Sequence, residues 1–200
     1  MVDRGLVRSR TRAQALILEG RVLVNGLRAE KAGQNVSLEA GIELKCDDIP
    51  YVSRGGLKLE GALRSFGIDV EGMTVLDVGA STGGFTDCLL QRGARKVYAV
   101  DVGCGQLAWK LRQDNRVVSL ERTNIRYMDK ADIPDPVQMA VIDTSFISLG
   151  KILPRIASLI EEDGDIIALI KPQFEVGKGE VGKGGVVRDP EKQAEVVRRI

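Results

Sequence analysis

From residue 57 onward, the apolar residues fall into two alternating patterns. Short continuous apolar runs predict strands buried on both faces, and runs with apolar residues at helical spacing predict amphipathic helices. The predicted strands cover 74–78, 96–101, 116–120, 137–143 and 165–171, and the predicted helices cover 57–66, 85–91, 106–112, 151–161 and 189–200. Strands that alternate with helices predict a parallel sheet with helices on both faces, which is an α/β fold.

The first 46 residues follow a different pattern. Ser9 or Thr11 can cap a helix with apolar residues at helical spacing, and Gly20 can end it. A short strand then enters an Asn25-Gly26 hairpin turn, and a second short strand begins near residue 42. These elements predict a small α+β module. The predicted domains are therefore this module over 1–46, a linker over 47–56 and the α/β domain over 57–200.

Basic residues are concentrated in the first module. The whole chain has 29 Lys+Arg and 28 Asp+Glu, a net charge of +1, so its total charge does not indicate a polyanionic partner. Residues 1–31 have seven basic and three acidic side chains, a local excess of four. Arginines clustered on and before one helix predict a phosphate-binding face, although an ordinary solvated helix surface is the alternative. The candidate RNA-binding residues are Arg4, Arg8, Arg10, Arg12 and Arg21.

The composition excludes several kinds of chemistry. The chain contains no histidine, so a Ser-His-Asp triad, a histidine base and a histidine metal ligand are excluded. Cys46, Cys88 and Cys104 match no metal-binding spacing, and three cysteines leave one unpaired in any disulfide scheme, which predicts a reduced, cytoplasmic setting. The longest apolar runs have about five residues, far short of the roughly 18 needed to cross a bilayer.

A glycine-rich turn occupies 77–85, where the first strand of the α/β domain gives way to a helix. Glycine there permits a tight turn and close approach of a ligand; close helix–sheet packing alone is the alternative. No Gly-Lys-Ser/Thr follows, which excludes a P-loop. The spacing of Gly79, Gly83 and Gly84 departs from the Gly-x-Gly-x-x-Gly of dinucleotide enzymes and favours S-adenosylmethionine. Asp101, after the next strand, could hold the ribose hydroxyls of either ligand.

Two charged residues directly follow apolar strands. Asp143 ends the fourth predicted strand of the α/β domain and Lys171 ends the fifth. Because ligands bind at the carboxyl ends of the strands in such sheets, these residues are candidates for a cleft. The alternative is a solvated strand end or a structural Asp-Lys pair. Lys58 is more ambiguous, since an exposed lysine on a helix is common.

Seven motifs, spread over nearly the whole chain, resemble those of one family. They are Ser9-Arg-Thr-Arg-Ala-Gln-Ala-Leu-Ile17, Gly20-Arg-Val-Leu-Val-Asn-Gly26, Tyr51-Val-Ser-Arg-Gly-Gly-Leu-Lys-Leu59, Leu76-Asp-Val-Gly-Ala-Ser-Thr-Gly-Gly-Phe-Thr86, Asp143-Thr-Ser-Phe-Ile-Ser148, Ile170-Lys-Pro-Gln-Phe-Glu175 and Gly184-Gly-Val-Val-Arg-Asp189. Together they resemble the TlyA family, the hemolysin-A-like ribosomal RNA methyltransferases. In that family an RNA-binding domain of the ribosomal S-four type precedes a Rossmann-like methyltransferase domain similar to FtsJ.

The resemblance implies 2′-O-methylation of ribose in ribosomal RNA, with a preference for cytidine, and a Lys-Asp-Lys-Glu catalytic set. Lys58, Asp143 and Lys171 match its first three members. The glutamate is expected beyond residue 200, together with two further strands, so the sheet is expected to be incomplete at its C-terminal side. Glu175, Glu191 and Glu195 lie outside the matching motif. The expected partners are ribosomal RNA or ribosomal subunits, with no membrane and no protein partner.

Elementary chemistry agrees with this set. A ribose hydroxyl is a poor nucleophile until a neighbouring base accepts its proton, and without histidine a lysine can serve as that base. Our hypothesis is that Lys171 is the base, that Lys58 favours its neutral form and contacts phosphate, and that Asp143 orients Lys171 and the methionine end of the cofactor. The sulfonium of S-adenosylmethionine drives the transfer, so no metal is expected.

The predicted cofactor site combines the glycine-rich turn with residues after the next two strands. The methionine and ribose side is expected at the turn, the ribose hydroxyls at the strand end, and adenine at the loop after the third strand. The residues are Gly79, Ser81, Thr82, Gly83, Gly84, Phe85, Asp101 and Asn124. Cys104 and Trp109 could flank the adenine, but a core position is the preferred interpretation of the tryptophan.

Two other functions remain open at this point. The family's alternative name suggests a membrane-active hemolysin, but the chain has no long apolar segment and no basic amphipathic helix with regularly spaced aromatic residues. A noncatalytic RNA-binding protein with the same fold is the second alternative. It would bind RNA without binding S-adenosylmethionine.

Overall fold

The structure, a computed structural model, describes residues 1–7, 9–44, 49–177, 179–182 and 184–200. It contains two compact units, Met1–Ile49 and Pro50–Ile200. Two residues discussed above, Arg8 and Cys46, lie outside the described residues.

The first unit contains one helix and a small antiparallel sheet. Its elements are α1 (Arg10–Leu18), β1 (Val22–Val24), β2 (Leu27–Arg28) and β3 (Ile42–Leu44), with the strand order β2-β1-β3. The Ser9 hydroxyl caps α1 by accepting a hydrogen bond from the Arg12 N–H. Asn25 and Gly26 both have positive φ, as a two-residue hairpin turn requires. The predicted helix and hairpin are therefore confirmed.

The second unit contains a five-stranded parallel sheet. Its elements are α2 (Gly55–Phe66), β4 (Thr74–Val78), α3 (Gly84–Gln91), β5 (Lys96–Val100), α4 (Trp109–Arg112), β6 (Val117–Leu120), β7 (Met139–Ile142), α5 (Leu153–Ala157), β8 (Asp165–Ala168), α6 (Pro172–Glu175) and α7 (Pro190–Arg199). Short 3-10 turns cover Ile125–Tyr127, Lys130–Asp132 and Leu149–Lys151. The strand order is β6-β5-β4-β7-β8, which confirms the predicted α/β fold and places β4 in the middle.

Both faces of this sheet are buried, as the continuous apolar strands predict. Along β4, Val75 packs on the face covered by α2 and α3, and its neighbour Leu76 packs on the opposite face. The faces alternate because successive strand residues point to opposite sides. Asp77 therefore points to the α3 side. Its carboxyl group would be charged in water, yet here it is completely buried.

Several elements differ from the sequence prediction. α2 and α3 begin earlier, at Gly55 and Gly84, whereas α4 and α5 are much shorter than predicted. α4 begins only at Trp109 because the preceding Ala108 has an extended backbone, with ψ of 139°. The preferred core position of Trp109 is wrong: its side chain is 74% exposed, while Leu107 and Leu111 provide the buried contacts.

Part of the predicted linker packs onto the second unit. The Val52 N–H donates to Asp87 Oδ2 at 2.8 Å, and Gln91 Nε2 donates to the Pro50 carbonyl at 2.9 Å. The two side chains in these bonds, Asp87 and Gln91, both lie on α3. The backbone leading into α2, which carries Lys58, is thereby held against α3.

A test of this packing compares two helical glycines. A Cβ at Gly84 would lie 3.0 Å from the Gly56 nitrogen and 3.2 Å from the Gly55 Cα, whereas a Cβ at Gly61 would meet nothing within 4 Å. We expect Gly84→Ala to lower the free energy of unfolding by about 1–3 kcal/mol because backbone atoms must separate. Gly61→Ala, the matched control, should raise it by about 0.5–1 kcal/mol. Urea denaturation measures both, and equal effects would contradict the close packing of α2 on α3.

Candidate active site

The glycine-rich turn has the tight, partly left-handed backbone for which its glycines are suited. Gly79 and Gly83 have φ of 86° and 91°, and Ser81 between them has φ of 49°. A Cβ at Gly79 would lie 2.9 Å from the carbonyl oxygen of Asp143. Glycine at this position therefore allows the turn after β4 to touch the end of β7, a close approach that a larger residue would prevent.

Asp101 follows β5 and faces the same turn. Its Oδ2 accepts a hydrogen bond from the Ser81 N–H at 2.7 Å, and its Oδ1 accepts one from the Gly103 N–H at 2.7 Å. A carboxylate has about four acceptor positions, so two remain after these bonds. Asp101 thus orders the loop and still has the capacity to accept from a ligand's hydroxyl groups.

Two cavities lie at the carboxyl edge of the sheet and share part of their lining. The first, of about 440 Å³, extends from Asp101 past Asn124 to Phe146. The second, of about 400 Å³, extends from Lys58 to Lys171. The residues that line both are Gly79, Ser81, Asp143 and Ser145. The shared residues make these cavities two compartments of one cleft, at the edge of the sheet where α/β proteins bind ligands.

The predicted catalytic residues are together in the second compartment. Lys171 Nζ lies 2.6 Å from Asp143 Oδ1, and Lys58 Nζ lies 3.6 Å from Asp143 Oδ2. The Lys58 side chain is 51% exposed, while those of Asp143 and Lys171 are 20% and 18% exposed. One carboxylate therefore lies between two ammonium groups, and the Lys171 contact is the more protected from solvent.

Lys171 has further acceptors within reach. Its Nζ donates to the Thr144 carbonyl at 2.9 Å and to Ser145 Oγ at 3.0 Å. With the ion-pair contact to Asp143 Oδ1, these two hydrogen bonds place three oxygen atoms around the Lys171 ammonium group. The Lys171 amine is therefore held on the loop that follows β7.

The remaining predicted cofactor residues, except Gly83, each line one of the two compartments. Thr82, Gly84 and Phe85 line the second, and Asn124 lines the first. Gly83 packs against Leu107 and Leu111, since a Cβ there would lie 2.2 Å from Leu111 Cδ1. Asn124 Oδ1 accepts from the Arg126 N–H at 3.1 Å, so its side chain also caps the 3-10 turn that begins at Ile125.

Three cleft residues were missed by the sequence analysis. Ser145 lines both compartments and accepts from Lys171. Gln106 lies 3.2 Å from the Ser81 hydroxyl through Oε1, and Ser53 lines the second compartment beside Lys58. Ser145 lies inside the quoted motif that begins at Asp143, so its position after a strand end could have indicated it. Ser53 lies inside the quoted motif that begins at Tyr51, but it does not follow a strand, and Gln106 lies in a loop outside the quoted motifs.

A third carboxylate, Asp77, is buried below the turn. Its Oδ2 accepts a hydrogen bond from Thr86 Oγ1 at 2.6 Å, and among the residues that the structure describes, Oδ1 has no hydrogen-bond partner. The pKa of Asp77 is raised to about 7, mainly by burial; the hydrogen bonds from Thr86 lower it, and the nearby charges of Asp143 and Asp101 contribute to the rise. Asp77 is thus a buried group that takes up a proton near neutral pH.

The predicted RNA-binding arginines of the first unit differ in their surroundings. Arg10 and Arg12 lie on α1 and are exposed. Arg4 donates to the carbonyl oxygens of Leu38 and Ala40, and Arg21 lies 3.2 Å from Glu19 Oε2 with a largely buried side chain. Arg4 and Arg21 therefore also support the unit, while Arg10 and Arg12 are accessible to phosphate.

The sequence predicts neither a metal site nor a membrane-spanning helix. Within 1–7, 9–44, 49–177, 179–182 and 184–200, no cluster of three or more His, Cys, Asp or Glu residues is arranged to hold a metal ion. The helices in the same residues include none with the length and apolar character needed to cross a membrane. Independence from metal remains a prediction.

Comparison with known proteins agrees with this architecture. The family model described as FtsJ-like methyltransferase matches residues 51–200, and the S4 domain model matches residues 1–42. The 16S/23S rRNA (cytidine-2′-O)-methyltransferase TlyA of Mycobacterium tuberculosis is 52% identical, over 100% of this chain and 75% of that protein. Hemolysin A of Brachyspira hyodysenteriae is 48% identical, over 92% of this chain and 77% of that protein.

A solved structure is similar over both units. It is a protein of Streptococcus thermophilus assigned as a hemolysin, with a TM-score of 0.78 and 46% identity over 97% of this chain and 71% of that one. The chain belongs to the TlyA family of FtsJ-like methyltransferases.

The buried Asp77 carboxyl generates a prediction for stability. Its pKa is raised in the folded state, so the folded protein binds the proton more tightly than the unfolded chain, and stability falls as pH rises toward about 7. Between pH 5 and pH 8 the parent should lose about 2–3 kcal/mol of unfolding free energy that Asp77→Asn does not lose.

Chemical denaturation at several pH values measures this difference. Asp163→Asn, at an exposed position, is the control and should follow the parent. Parallel pH profiles for the parent and Asp77→Asn would show that Asp77 is ionised throughout this range.

Proposed function

We propose that this chain transfers a methyl group from S-adenosylmethionine to the 2′-hydroxyl of a ribose in ribosomal RNA, with cytidine as the acceptor nucleoside. The observation that carries the proposal is the contact of Lys171 and Lys58 with one carboxylate, Asp143, beside the glycine-rich turn. The reaction named for the Mycobacterium tuberculosis relative, 16S/23S rRNA (cytidine-2′-O) methylation, supports the same reaction and substrate.

The residues of the first compartment fit S-adenosylmethionine. Asp101 would accept from the ribose hydroxyls, Asn124 would contact adenine, and the turn around Gly79 and Ser81 would line the methionine side. The fit rests on the turn, whose glycine lets β4 and β7 approach closely, and on the acceptor capacity left on Asp101. When bound, S-adenosylmethionine supplies a methyl group activated by the sulfonium.

Lys171 is the group that accepts the proton of the ribose hydroxyl. A neutral amine has two N–H donors and one lone pair, so it can keep its hydrogen bond to the Thr144 carbonyl, stay in contact with Asp143 Oδ1 and present the lone pair where Ser145 Oγ now lies. The substrate hydroxyl takes the place of the Ser145 hydroxyl. Its proton then moves to Nζ as the oxygen attacks.

Asp143 positions the Lys171 amine, and Lys58 partly offsets the charge of Asp143. Asp143 holds the Lys171 amine in a single position at 2.6 Å, which preserves the alignment needed for in-line attack. Lys58 contacts the other oxygen of the same carboxylate. Its positive charge reduces the electrostatic attraction that Asp143 exerts on the Lys171 ammonium group. Because the Lys58 side chain is half exposed, it also presents positive charge to an RNA phosphate.

The first unit binds the RNA. Arg10 and Arg12 are exposed in the first turn of α1, and each phosphate contact releases counterions from the RNA. Such binding is insensitive to sequence, so these residues provide affinity rather than the choice of nucleotide.

The base assignment predicts the effects of three variants. Lys171→Ala should reduce methyl transfer about 10²–10⁴-fold while leaving S-adenosylmethionine affinity within about threefold. Lys171→Arg keeps the positive charge but cannot accept the proton, so it should be equally inactive. Lys151→Ala, an exposed lysine, is the control. Transfer of labelled methyl to ribosomal subunits, with calorimetry for cofactor binding, measures these effects; activity in Lys171→Arg would exclude Lys171 as the base.

The RNA-binding assignment predicts a change in salt dependence. The double variant Arg10→Ala with Arg12→Ala should weaken ribosomal RNA binding and reduce the slope of log affinity against log salt by about 1–2. The double variant Arg64→Ala with Arg198→Ala removes the same charge from exposed positions of the second unit and serves as control. Filter binding at several salt concentrations measures the slopes, and equal slopes for the two double variants would contradict the role of α1.

A further inference from the structure

Glu175 is a buried carboxylate that the reaction above does not use. It ends α6, four residues after Lys171, and is 9% exposed. Its Oε1 accepts a hydrogen bond from the Leu149 N–H at 2.7 Å, and its Oε2 accepts one from the Ser148 hydroxyl at 2.7 Å. A buried carboxylate is costly unless donors satisfy it. Here both donors belong to one short segment after β7.

The two segments that Glu175 joins carry the catalytic pair. Asp143 directly follows β7, and Lys171 follows β8, its neighbour in the sheet. Lys171 already links them at the cleft through Asp143, Thr144 and Ser145. Glu175 provides a second link at 148 and 149. The loop 143–149 is therefore attached to the segment after β8 near both of its ends.

The loop between the two links is strained. Phe146 has φ of 65°, a left-handed conformation that a bulky residue rarely adopts. Such a residue costs about 1–3 kcal/mol and persists only when its surroundings hold it. Its ring contacts that of Phe174, with centroids 5.1 Å apart, in the interval between Lys171 and Glu175. Without the second link, the loop could relax toward an ordinary backbone conformation.

Glu175 also replaces a local helix cap. Ser148 precedes the 3-10 turn Leu149–Lys151, yet its side chain makes no capping hydrogen bond to that turn. The Ser148 hydroxyl donates to Glu175 instead, and the carboxylate accepts from the first N–H of the turn. A negative charge at this end is favourable. In the described part of the chain no cation forms an ion pair with the Glu175 carboxylate, so these two donors are what hold the carboxylate.

We propose that Glu175 is a positioning residue: by holding the loop after β7 against the segment after β8, it keeps Asp143 and Lys171 at contact distance. This inference rests on the proposed function of Lys171. Glu175 itself need not touch the RNA or the cofactor. A displacement of about 1 Å at a reacting group can cost about 10²-fold in rate, so loss of the link should be visible in turnover.

The kinetic test separates positioning from binding. In Glu175→Ala, kcat for methyl transfer to ribosomal subunits should fall about 30-fold or more, with KM and S-adenosylmethionine affinity within about threefold. Glu175→Gln keeps one acceptor for the Leu149 N–H and can donate to Ser148, so it should retain activity to within about fivefold. Glu180→Ala is the control, because Glu180 is exposed and bonds to Gly177 and Lys192 instead.

A second measurement does not depend on methyl transfer. Competitive amine acylation, read by mass spectrometry, reports the accessibility of Lys171. Glu175→Ala should raise labelling of Lys171 about fivefold or more as its contacts loosen. Lys96 is the internal reference, since it lies 2.6 Å from Asp135 at the opposite end of the sheet and is 33% exposed. If the parent protein methylates no RNA, the proposed function fails, while the labelling ratio still decides the role of Glu175.

Two results would overturn the proposal. One is an unchanged kcat in Glu175→Ala together with unchanged Lys171 labelling. The other is a joint loss of kcat, cofactor affinity and thermal stability with equal rises in Lys171 and Lys96 labelling, which would show a general structural role. If Glu175→Ala does not fold, Ser148→Ala removes one donor only and should lower kcat about threefold at constant KM; an unchanged kcat there would equally contradict the proposal.

Discussion

The contact between Lys171 and Asp143 is the interaction on which the proposed function of this protein depends. It forms because β7 and β8 are parallel neighbours, so that the residues following them meet at the same edge of the sheet. The contact also needs the close approach of the glycine-rich turn, where Gly79 lies against the Asp143 carbonyl. Sheet order, a glycine without a side chain and two strand-end charges together bring a lysine and an aspartate into contact at this edge, and under the proposed function that lysine is the base.

Much of this site could be predicted because its signals are local in sequence. A glycine-rich turn after a strand and charges directly after apolar runs are visible in a single sequence, and in a parallel sheet they converge at one edge. The capping of α1 by Ser9 and the turn at Asn25 and Gly26 follow the same principle. Each depends on a few adjacent residues with strong backbone preferences.

Features that depend on distant partners could not be predicted. Glu175 lies in a motif noted in the sequence, but its donors at 148 and 149 are 27 and 26 residues away and become neighbours only through the sheet. Trp109 was expected in the core because tryptophan is usually well buried, yet an extended Ala108 delays α4 and leaves the ring in solvent. The burial of Asp77 is visible only once α3 is placed over β4.

Three carboxylates with different surroundings lie toward one end of the sheet. Asp143 is paired with lysines, Asp101 is hydrogen-bonded to loop amides, and Asp77 is buried with a raised pKa. Their environments differ because each follows or lies in a different strand, so the sheet assigns the roles. The two lysines place positive charge where the proposed function puts the ribose hydroxyl. Asp101 has free acceptor positions where the proposed function puts the cofactor.

The most direct test of the central claim is to incubate the protein with ribosomal subunits and S-adenosylmethionine carrying a labelled methyl group, and then to map the label in the RNA. The account predicts transfer to the 2′-oxygen of a cytidine, detected as a ribose-methylated nucleoside. Label on a nucleobase, or no transfer to RNA by a protein that binds both ligands, would contradict it.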